Sequence, residues 1–580
     1  MIALVVLVRL VGMYLRTTQR KNRDGSVIRY VQLAHNRRVD GVTQAQVLLN
    51  LGREDQLDRD GLRRLVASIN HYLGEPDGGL PPADAAQLAG DGLTVVASRP
   101  VGTVHLLDGL WQALGVDAAL RKVLGPRRFT TDVERVLFAL VANRAIDPMS
   151  KLSAAEWASN DVAIDGLEAM DEDQAYRAMD LLAGADAQAE VQEAVFFAVA
   201  DLLNLEVDLL FFDTTSTYFE RGTEETGEDA FRLYGHSKDH RPDLPQIVIG
   251  LAVTKEGIPV RVWCWPGSTS DQTILPQVKD DIRGWRLGRI ITVVDRGFSS
   301  ADNLAYLRRG GGHFIAGMRM RDGNPLVKQV LSRQGRYQQV KDNLRVKEVS
   351  AGPTDVRYII CHNPEQADRD RTAREDAITR LEAELARIKT ARERDRAKKT
   401  SKNAKHKAEA AHTKAECALR DHPALGRWLR QQASGRLAID RAKIKAEERL
   451  DGKYLIATSD PHISAEDAAL GYKNLLEAER GFRDLKSSLL LRPVFHRLEH
   501  RIRAHVLLCW LALLLTRVAE RRTSMTWRRI ATELGRIHSV TLTGSAGSAA
   551  HTTPLTTTQA GILRDCQVAA PPRITALDPS

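Results

Sequence analysis

The spacing of hydrophobic residues changes character near Val207. From about Ala83 to Asn204, apolar residues recur at helical spacing with few proline or glycine breaks, which predicts a helix-rich region. After Val207, short apolar runs rich in β-branched and aromatic residues are bounded by polar turns, which is typical of buried strands. The sequence therefore predicts a helical segment followed by an α/β core.

Two of the predicted strands run into an aspartate. The runs VDLLFFDTTS and IITVVDRGFS reach Asp213 and Asp295 at their predicted ends. Between them, QIVIGLAVTKEGIPVRVWCW predicts two strands joined at residues 255–257. GKYLIATS, residues 452–459, predicts a further strand, and a single helix is expected from about Ala465 to Leu491.

The first residues predict a hairpin behind a short extension. Tyr14 to Arg38 alternates around a turn at residues 23–26, and short helices are expected up to residue 82. Met1 to Val8 is apolar, but no basic segment precedes it and no small-residue cleavage site follows it, as a signal peptide would require. We therefore expect Met13 to be the native start and residues 1–12 to be an upstream extension.

A segment of different character separates the last predicted strand from the others. It is strand-like from Tyr337 to Cys361 and becomes a highly charged helix from about Asp370. Within that helix, a short apolar seam of the coiled-coil type is formed by Ile378, Leu381, Leu385 and Ile388. Residues 392–407 hold eight Lys or Arg against two acids. This basic run is either a solvated helix face or disordered loop, or a clamp on the DNA backbone.

Bulk composition narrows the class of protein. A chain of 580 residues with 43% hydrophobic and 27% charged residues is expected to form several soluble domains. The net charge of +9 points mildly to a polyanionic partner. Five scattered cysteines form no CxxC pair, which favours a reducing compartment. The apolar run from Val506 to Leu515 is too short to span a bilayer, so we expect no membrane association and a cytoplasmic protein.

The two strand-terminal aspartates are candidate metal ligands. An apolar strand that ends in aspartate places a carboxylate at the rim of a buried sheet, where α/β proteins bind ligands. Either Asp213 or Asp295 alone is more simply interpreted as the cap of a turn. A third acid on a separate element changes this, because hard cations such as Mg²⁺ prefer oxygen ligands that converge from several elements.

The third acid is Glu479, on the helix predicted after residue 465. The helix carries one mixed stripe at spacings of three and four residues, formed by Tyr472, Leu476, Glu479, Arg483 and Lys486. A phenol, a carboxylate, a guanidinium and an ammonium on one face suit a site that holds a metal and a phosphodiester together. The alternative is a surface stripe of ion pairs.

These residues resemble a known family, the DDE-type insertion-sequence transposases with the signature Tyr-x2-Arg-x3-Glu-x6-Lys (the IS-four-like superfamily). Tyr472, Glu479 and Lys486 fit that spacing, whereas Leu475 stands at the arginine position. The resemblance extends in order through the segments DTTSTYFE, GHSKDHRPDLPQIVIGLAV, GIPV, GSTSDQTIL, VVDRGFSSADNL, AERGFRDLKS, RPVFHR and RIRAHVLLCWLAL. Lys473 or Arg483 is the candidate for the missing charge.

The resemblance implies an α/β fold, a ribonuclease-H-like mixed sheet flanked by helices, with catalytic and metal-holding carboxylates at Asp213, Asp295 and Glu479. Their carboxylate groups should then lie within about 4–8 Å of one another. It also implies a division of the chain into a hairpin region at 13–82, a helical DNA-binding region at 83–205, a core at 206–325 and 452–520, an inserted domain of strands and a charged helix at 326–451, and a tail at 521–580.

The implied activity is that of a DNA transposase, which cleaves at transposon ends and transfers the strands into target DNA. The implied cofactor is Mg²⁺, with Mn²⁺ able to substitute, in a two-metal phosphoryl transfer. The implied partners are double-stranded DNA, as terminal inverted repeats and target, and a second copy of the chain in a homodimeric synaptic complex.

Further residues are expected to contact DNA or to be structural. The candidates for DNA contact are Tyr472, Arg483, Lys486, Arg492, His496 and Lys238, with Arg501 and the polar segment 236–241 behind them. Asp271 is expected to form a turn rather than to act as an extra ligand. Trp263 and Trp265 alternate along a strand, so at least one should be core, and Trp428 is expected to be structural rather than to stack on a base.

Two other functions stay open at the level of sequence. One is a nuclease or resolvase on the same core without strand transfer, which an assay for joining of a pre-cut end separates. The other is an inactive DNA-binding remnant, for which the departure at Leu475 is the only sign. Retained metal-dependent nicking excludes the remnant.

Overall fold

The computed structural model divides the chain into two compact units, residues 1–94 and 95–580. The described residues are 13–21, 27–39, 42–54, 57, 93–125, 131–182, 185–205, 208–220, 222–285, 289–321, 323–351, 355–397, 413–544 and 547–579. Residues 1–12, the turn at 23–26 and most of the basic run at 392–407 lie outside them.

The first unit contains an antiparallel sheet in the order β1-β2-β3. Its strands are β1 (Met13–Lys21), β2 (Val27–Val39) and β3 (Val42–Arg53). The predicted hairpin is present, with Met13 opposite His35 and Lys21 opposite Val27. The prediction of short helices is wrong for Val42–Arg53, because this segment pairs along most of its length with β2 and completes the sheet.

The second unit opens with a strand and a set of helices, as the spacing of apolar residues predicts. They are β4 (Thr94–Pro100), α1 (Gly102–Ala113), α2 (Val116–Leu124), α3 (Val133–Ile146), α4 (Lys151–Glu156, continued by a π-helical turn at Trp157–Asp161), α5 (Glu172–Leu181) and α6 (Ala185–Leu202). Helix α3 is buried on nearly all sides, so this region shares one core with the sheet that follows.

The sheet that follows is built from a hairpin and parallel strands. Its elements are β5 (Leu209–Tyr218), β6 (Gln246–Thr254), β7 (Pro259–Pro266), α7 (Asp271–Gly284), β8 (Ile291–Val294), α8 (Ala301–Arg308), β9 (His313–Met318) and α9 (Pro325–Ser332). Strands β5, β6 and β7 are antiparallel, whereas β8 pairs in parallel with both β5 and β9. Successive residues face opposite layers: Phe211 packs in the core shared with the helices, and Phe212 packs in a second core.

The predicted insertion is only partly a separate body. It comprises β10 (Gln338–Lys341), β11 (Leu344–Ser350), β12 (Arg357–His362), α10 (Pro364–Ala397), α11 (Lys414–Arg420), β13 (Leu429–Gln431), β14 (Leu437–Ile439) and α12 (Arg441–Glu448). Strands β10–β12 extend the main sheet. The helical part has its own small core, in which Leu381 and Ile388 of the predicted seam pack with Leu419, Trp428 and Ile444.

The chain then returns to the main sheet through β15 (Lys453–Thr458), followed by α13 (Ala465–Lys473), α14 (Leu476–Ser487) and α15 (Glu499–Thr523). The described sheet has nine strands in the order β10-β11-β12-β15-β9-β8-β5-β6-β7. Helix α15 has the length and the mean hydropathy, 1.7, of a membrane span, but 89% of its apolar window is buried inside the protein. It is therefore a core helix.

The described residues between 521 and 579 are folded rather than a tail. They form α16 (Trp527–Leu534), β16 (His538–Gly544), β17 (Gly547–Thr552), α17 (Thr557–Asp565) and β18 (Ile574–Pro579). The strands join β4 in a sheet of order β18-β17-β16-β4. Pairing with a strand more than four hundred residues earlier is what the local pattern of this segment cannot reveal.

Candidate active site

Strand register places Asp213 beside Asp295. Phe212 of β5 is the parallel partner of Val294 of β8, so the next residue on each strand is an aspartate. The prediction that the strand ends at Asp213 is wrong, because β5 continues to Tyr218 along its antiparallel partner β6. Only the parallel pairing stops here. Asp213 therefore lies at the edge where β8 has ended, and this edge is the rim that the sequence predicted.

A lysine and a third aspartate complete this side of the site. The Lys238 ammonium lies 4.0 Å from Oδ1 of Asp213 and 3.2 Å from Oδ2 of Asp271. The Thr214 hydroxyl donates a hydrogen bond to Oδ1 of Asp271 over 2.6 Å. Asp271 is the first residue of α7, directly after its cap Ser270, and not part of a free turn. The expectation of a purely turn-forming role is therefore wrong.

Burial and neighbouring acids make Asp213 hard to ionise. Burial raises the pKa of Asp213 to about 6, and the negative charges of Asp295 and Asp271 act in the same direction. The Lys238 ammonium and the backbone N–H of Thr214, which donates to Asp213 over 2.7 Å, lower that pKa but do not restore its ordinary value. Burial is therefore the main reason why Asp213 resists ionisation, and the two neighbouring aspartates add to it.

Tyr472 holds Asp295 from the helical side. Its phenol donates a hydrogen bond to Oδ1 of Asp295 over 2.8 Å, and its ring stacks on Tyr454 with 5.9 Å between centroids. Burial, and then the charge of Asp295, raise the pKa of Tyr472 well above its ordinary value, so the phenol stays a donor. Gly317 makes room for it, because a Cβ there would lie 2.2 Å from the hydroxyl oxygen.

Glu479 faces the same space from α14. Asp213, Asp295, Tyr472 and Glu479 all line one cavity of about 460 Å³. Glu479 is exposed, and its side chain has no hydrogen bond or ion pair within the described part of the chain. Among the described residues, no three carboxylate, histidine or cysteine side chains converge closely enough to hold a metal ion as they stand. The expected spacing of the three carboxylates, within about 4–8 Å of one another, stays a prediction.

The helix that carries Glu479 is not continuous. The helix is interrupted between α13 and α14. There the backbone N–H of Leu475 donates to Tyr472 O and that of Ala478 to Leu475 O, in tight i to i−3 hydrogen bonds. The prediction of one helix and one stripe is wrong at this point. Leu475 is 7% exposed and packs in the core, which gives the departure from the signature a structural reason. Lys473 lines the cavity, whereas Arg483 is exposed one turn beyond Glu479.

Lys486 and Arg492 converge on one carboxylate. Lys486 donates to Thr215 Oγ1 over 2.7 Å and to Asp239 over 2.8 Å, and Arg492 pairs with the other oxygen of Asp239 at 2.8 Å. Burial lowers the pKa of Lys486, although Asp239 favours its charged form. The structure thus brings Lys486 and Arg492 to the strand that carries Asp213.

His496 and Arg501 are placed elsewhere. His496 is 8% exposed, and burial lowers its pKa to about 3, so it offers no cation to DNA. It packs between Tyr176 and His505. Arg501 pairs with both oxygens of Asp180 at 2.7 and 2.8 Å. In this arrangement both residues serve helix packing rather than phosphate binding.

Arginines missed by the sequence reasoning surround the site. Arg296, Arg319 and Arg321 line a larger cavity, about 790 Å³, that also contains His236, Lys238, Asp271 and Asp295. Arg321 is tied to the insertion, because it pairs with Glu447 of α12 at 2.8 Å. The motif VVDRGF contains Arg296 directly after Asp295, which was the available signal. Arg319 and Arg321 carry no such signal because only the fold brings β9 next to β8.

Comparison with known proteins identifies the family. The model of the transposase DDE domain matches residues 209–515, more than half of the chain. The chain belongs to the DDE transposases. A second model, the N-terminal domain of IS1634 family transposases, matches residues 15–82. No protein with a curated function matches the sequence.

This transposase also has a distant structural neighbour. A cryo-EM structure of the piggyBac transposase synaptic complex with hairpin DNA aligns over 77% of this chain and 82% of its own, with 10% identity and a TM-score of 0.34. The family match does not depend on that likeness. It spans β5 to most of α15 and includes Asp213, Asp271, Asp295 and Glu479. The protein is a DNA transposase, and the roles of its residues are the next question.

Proposed function

We propose that Asp213, Asp295 and Glu479 hold divalent metal ions, Mg²⁺ by preference with Mn²⁺ able to substitute, and catalyse DNA cleavage at transposon ends and strand transfer into target DNA. The observation that carries this proposal is the parallel pairing of Phe212 with Val294, which brings two aspartates to one edge of the sheet. Glu479, from a distant helix, lines the same cavity. Nothing in local structure requires these three residues to line one cavity.

The residues present fit a hard divalent cation. Carboxylate oxygens are the ligands that Mg²⁺ prefers, and the candidate set offers neither thiolate nor imidazole. Asp213 lies close enough to Asp295 and Asp271 for their charges to raise its pKa, as expected where a balancing cation is part of the working site. The strand order β7-β6-β5-β8-β9, antiparallel first and then parallel, supports a ribonuclease-H-like core.

When bound, the metal ions activate the attacking water or 3′-hydroxyl and stabilise the leaving oxygen. The chain's own residues prepare the geometry. Tyr472 donates to one oxygen of Asp295 and leaves the other oxygen for ligation. Lys486, fixed by Asp239 and Thr215, presents a positive charge beside β5. Because Asp295 and Lys486 are already held by these contacts, substrate binding requires little reordering of these two groups.

Exposed cations around the two cavities suit the DNA backbone. Arg296 and Arg319 lie on the rim of the larger cavity, and Arg483 lies one turn beyond Glu479. A guanidinium can bind a phosphate with two parallel hydrogen bonds. We propose that these three arginines contact the DNA near the scissile phosphate, together with Lys238 and Arg492 from the predicted set.

The wider assignments follow the family expectation. The helical region at 83–205 is proposed to recognise terminal inverted repeats. A homodimer is proposed to hold two transposon ends in a cytoplasmic synaptic complex. Footprinting of terminal DNA, with and without residues 83–205, and the mass of the DNA complex test these assignments separately.

The central test is cleavage of a duplex that carries the element's end, followed by joining of a pre-cut end to a plasmid. Asp213→Asn, Asp295→Asn and Glu479→Gln should each abolish Mg²⁺-dependent cleavage and leave DNA affinity nearly unchanged. Asp302→Asn, an exposed acid on α8, is the matched control. Cleavage without joining would replace the transposase assignment by a nuclease, and full activity in Asp295→Asn would overturn the proposed site.

A further inference from the structure

We propose that the Lys238 ammonium is the internal counter-ion of this site and that a divalent cation must displace it from Asp213 and Asp271. The inference rests on the metal-holding function proposed above. In this role Lys238 weakens cation binding, whereas a ligand strengthens it, because the positive charge of the ammonium repels an arriving cation.

The contacts of Lys238 define that position. Its ammonium lies between the carboxylates of Asp213 and Asp271, and it also donates to the carbonyl oxygen of Thr214 over 2.8 Å. Within the described part of the chain, neither aspartate has another ion-pair partner, and Asp295 has none. Within the described residues, one lysine therefore serves as the ion-pair partner of two aspartates, and Asp295 has no such partner.

This arrangement explains why the carboxylates do not converge. Among the described residues no group of three acids is close enough to hold a metal ion, although Asp271 and Asp295 line one cavity and both lie close enough to Asp213 for their charges to raise its pKa. An ammonium shared by Asp213 and Asp271 takes up oxygens that a metal would otherwise collect. Removal of the ammonium frees these oxygens without any change in the strands.

The chain around Lys238 allows the ammonium to move while the backbone stays. The backbone N–H of Lys238 donates to Ser216 Oγ over 2.9 Å, which anchors the loop to β5. The Lys238 side chain is 31% exposed and reaches the site through four methylene groups, so rotation about these bonds withdraws the charge. The cavity of about 790 Å³ that it lines gives the ammonium space to leave towards.

The test is binding of Mn²⁺ alone to the DNA-free, full-length protein. The electron paramagnetic resonance signal of free Mn²⁺ measures how much of the ion stays unbound. Lys238→Met should lower the Kd for Mn²⁺ by about tenfold or more, the effect of removing a unit charge roughly 6 Å from a divalent ion in a high dielectric. Lys238→Arg keeps the charge and should retain a Kd near that of the wild type. Lys255→Met, which removes a lysine paired with Asp208 away from the site, is the matched control and should change nothing.

The outcomes separate this inference from the function on which it rests. An unchanged or higher Kd in a folded Lys238→Met protein overturns the counter-ion role, and so does an equal gain in Lys238→Arg. If the wild type binds no Mn²⁺ and Lys238→Met binds none either, the metal-holding function itself fails. Thermal unfolding without metal gives a second readout: Lys238→Met should unfold at a lower temperature than the wild type, and saturating Mn²⁺ should remove the difference.

Discussion

The phenol of Tyr472 donates a hydrogen bond to the carboxylate of Asp295 over 2.8 Å. This bond ties α13 to the end of β8, two elements that the insertion separates in sequence. It also explains why a tyrosine precedes the glutamate by seven residues. Tyr472 orients one candidate ligand, and Glu479, on the next helix, lines the same cavity.

Loss of that single hydroxyl should therefore reduce catalysis without unfolding the protein. For Tyr472→Phe we expect the cleavage rate to fall about 10–100-fold, the usual effect of removing a residue that orients a metal ligand. DNA affinity should stay within twofold. Tyr454→Phe is the control, because its ring stacks on Tyr472 but its hydroxyl does not contact Asp295. A rate equal to that of the wild type in Tyr472→Phe would show that the hydrogen bond is dispensable.

A methyl group at Gly317 should clash with Tyr472, and a second substitution that removes the Tyr472 hydroxyl should relieve part of the clash. A Cβ at Gly317 would lie 2.2 Å from the hydroxyl oxygen and 2.9 Å from Cζ of Tyr472. Gly317→Ala should lower the unfolding temperature and abolish most cleavage, and Tyr472→Phe in the same chain should restore part of the stability. A double-mutant cycle by thermal unfolding measures the coupling, and simple additivity would contradict this account.

Asp213 should make the stability of the metal-free protein depend on pH. The folded-state pKa of Asp213 is raised to about 6 from an ordinary value of 3.8, so the folded protein holds this proton more tightly than the unfolded chain. Stability should consequently fall as pH rises from about 4 through 6. Asp213→Asn should remove this fall, and above pH 6 its free energy of unfolding should exceed that of the wild type. Denaturant unfolding in EDTA at pH 4.5 and pH 7.5 measures how the free energy of unfolding changes with pH in the wild type and in Asp213→Asn.

Arg492 and His496 should differ in their effect on DNA binding, although the sequence treats them alike. The Arg492 side chain is 32% exposed, whereas His496 is buried and uncharged at neutral pH. Arg492→Gln should weaken binding to all duplexes and reduce the salt slope by about one. His496→Gln should lower stability and leave the slope intact. Fluorescence anisotropy of labelled duplexes between roughly 50 and 200 mM salt measures the salt slope of DNA binding for each variant.

Most of the basic run at 392–407 lies outside the described residues, and its contribution to DNA affinity is a prediction. Arg392 itself is excluded from DNA contact, because it is buried and paired with Glu416. Replacing the five lysines between 398 and 407 by glutamine should weaken binding to duplexes of any sequence and flatten the salt dependence. An unchanged salt slope would leave this segment as a solvated surface.

Much of the site was predictable because its chemistry is local. Asp213 and Asp295 stand out since each follows an apolar run that must be buried, and a carboxylate at the end of such a run needs a reason. Glu479 stands out through the mixed polar spacing around it. The helical region and the predicted strands of the core were also recoverable, because their periodicities of 3.6 and 2 are written in the side chains themselves.

Other features depend on contacts between distant segments, which no local pattern records. Strand β5 passes beyond Asp213 because β6 offers partners further along than β8 does. Asp271 reaches the site because α7 packs against β5, and His496 is buried because other helices cover it. Residue type and spacing name the groups that can do chemistry, whereas packing and strand register select which of them share a cavity, which remain charged, and which are enclosed.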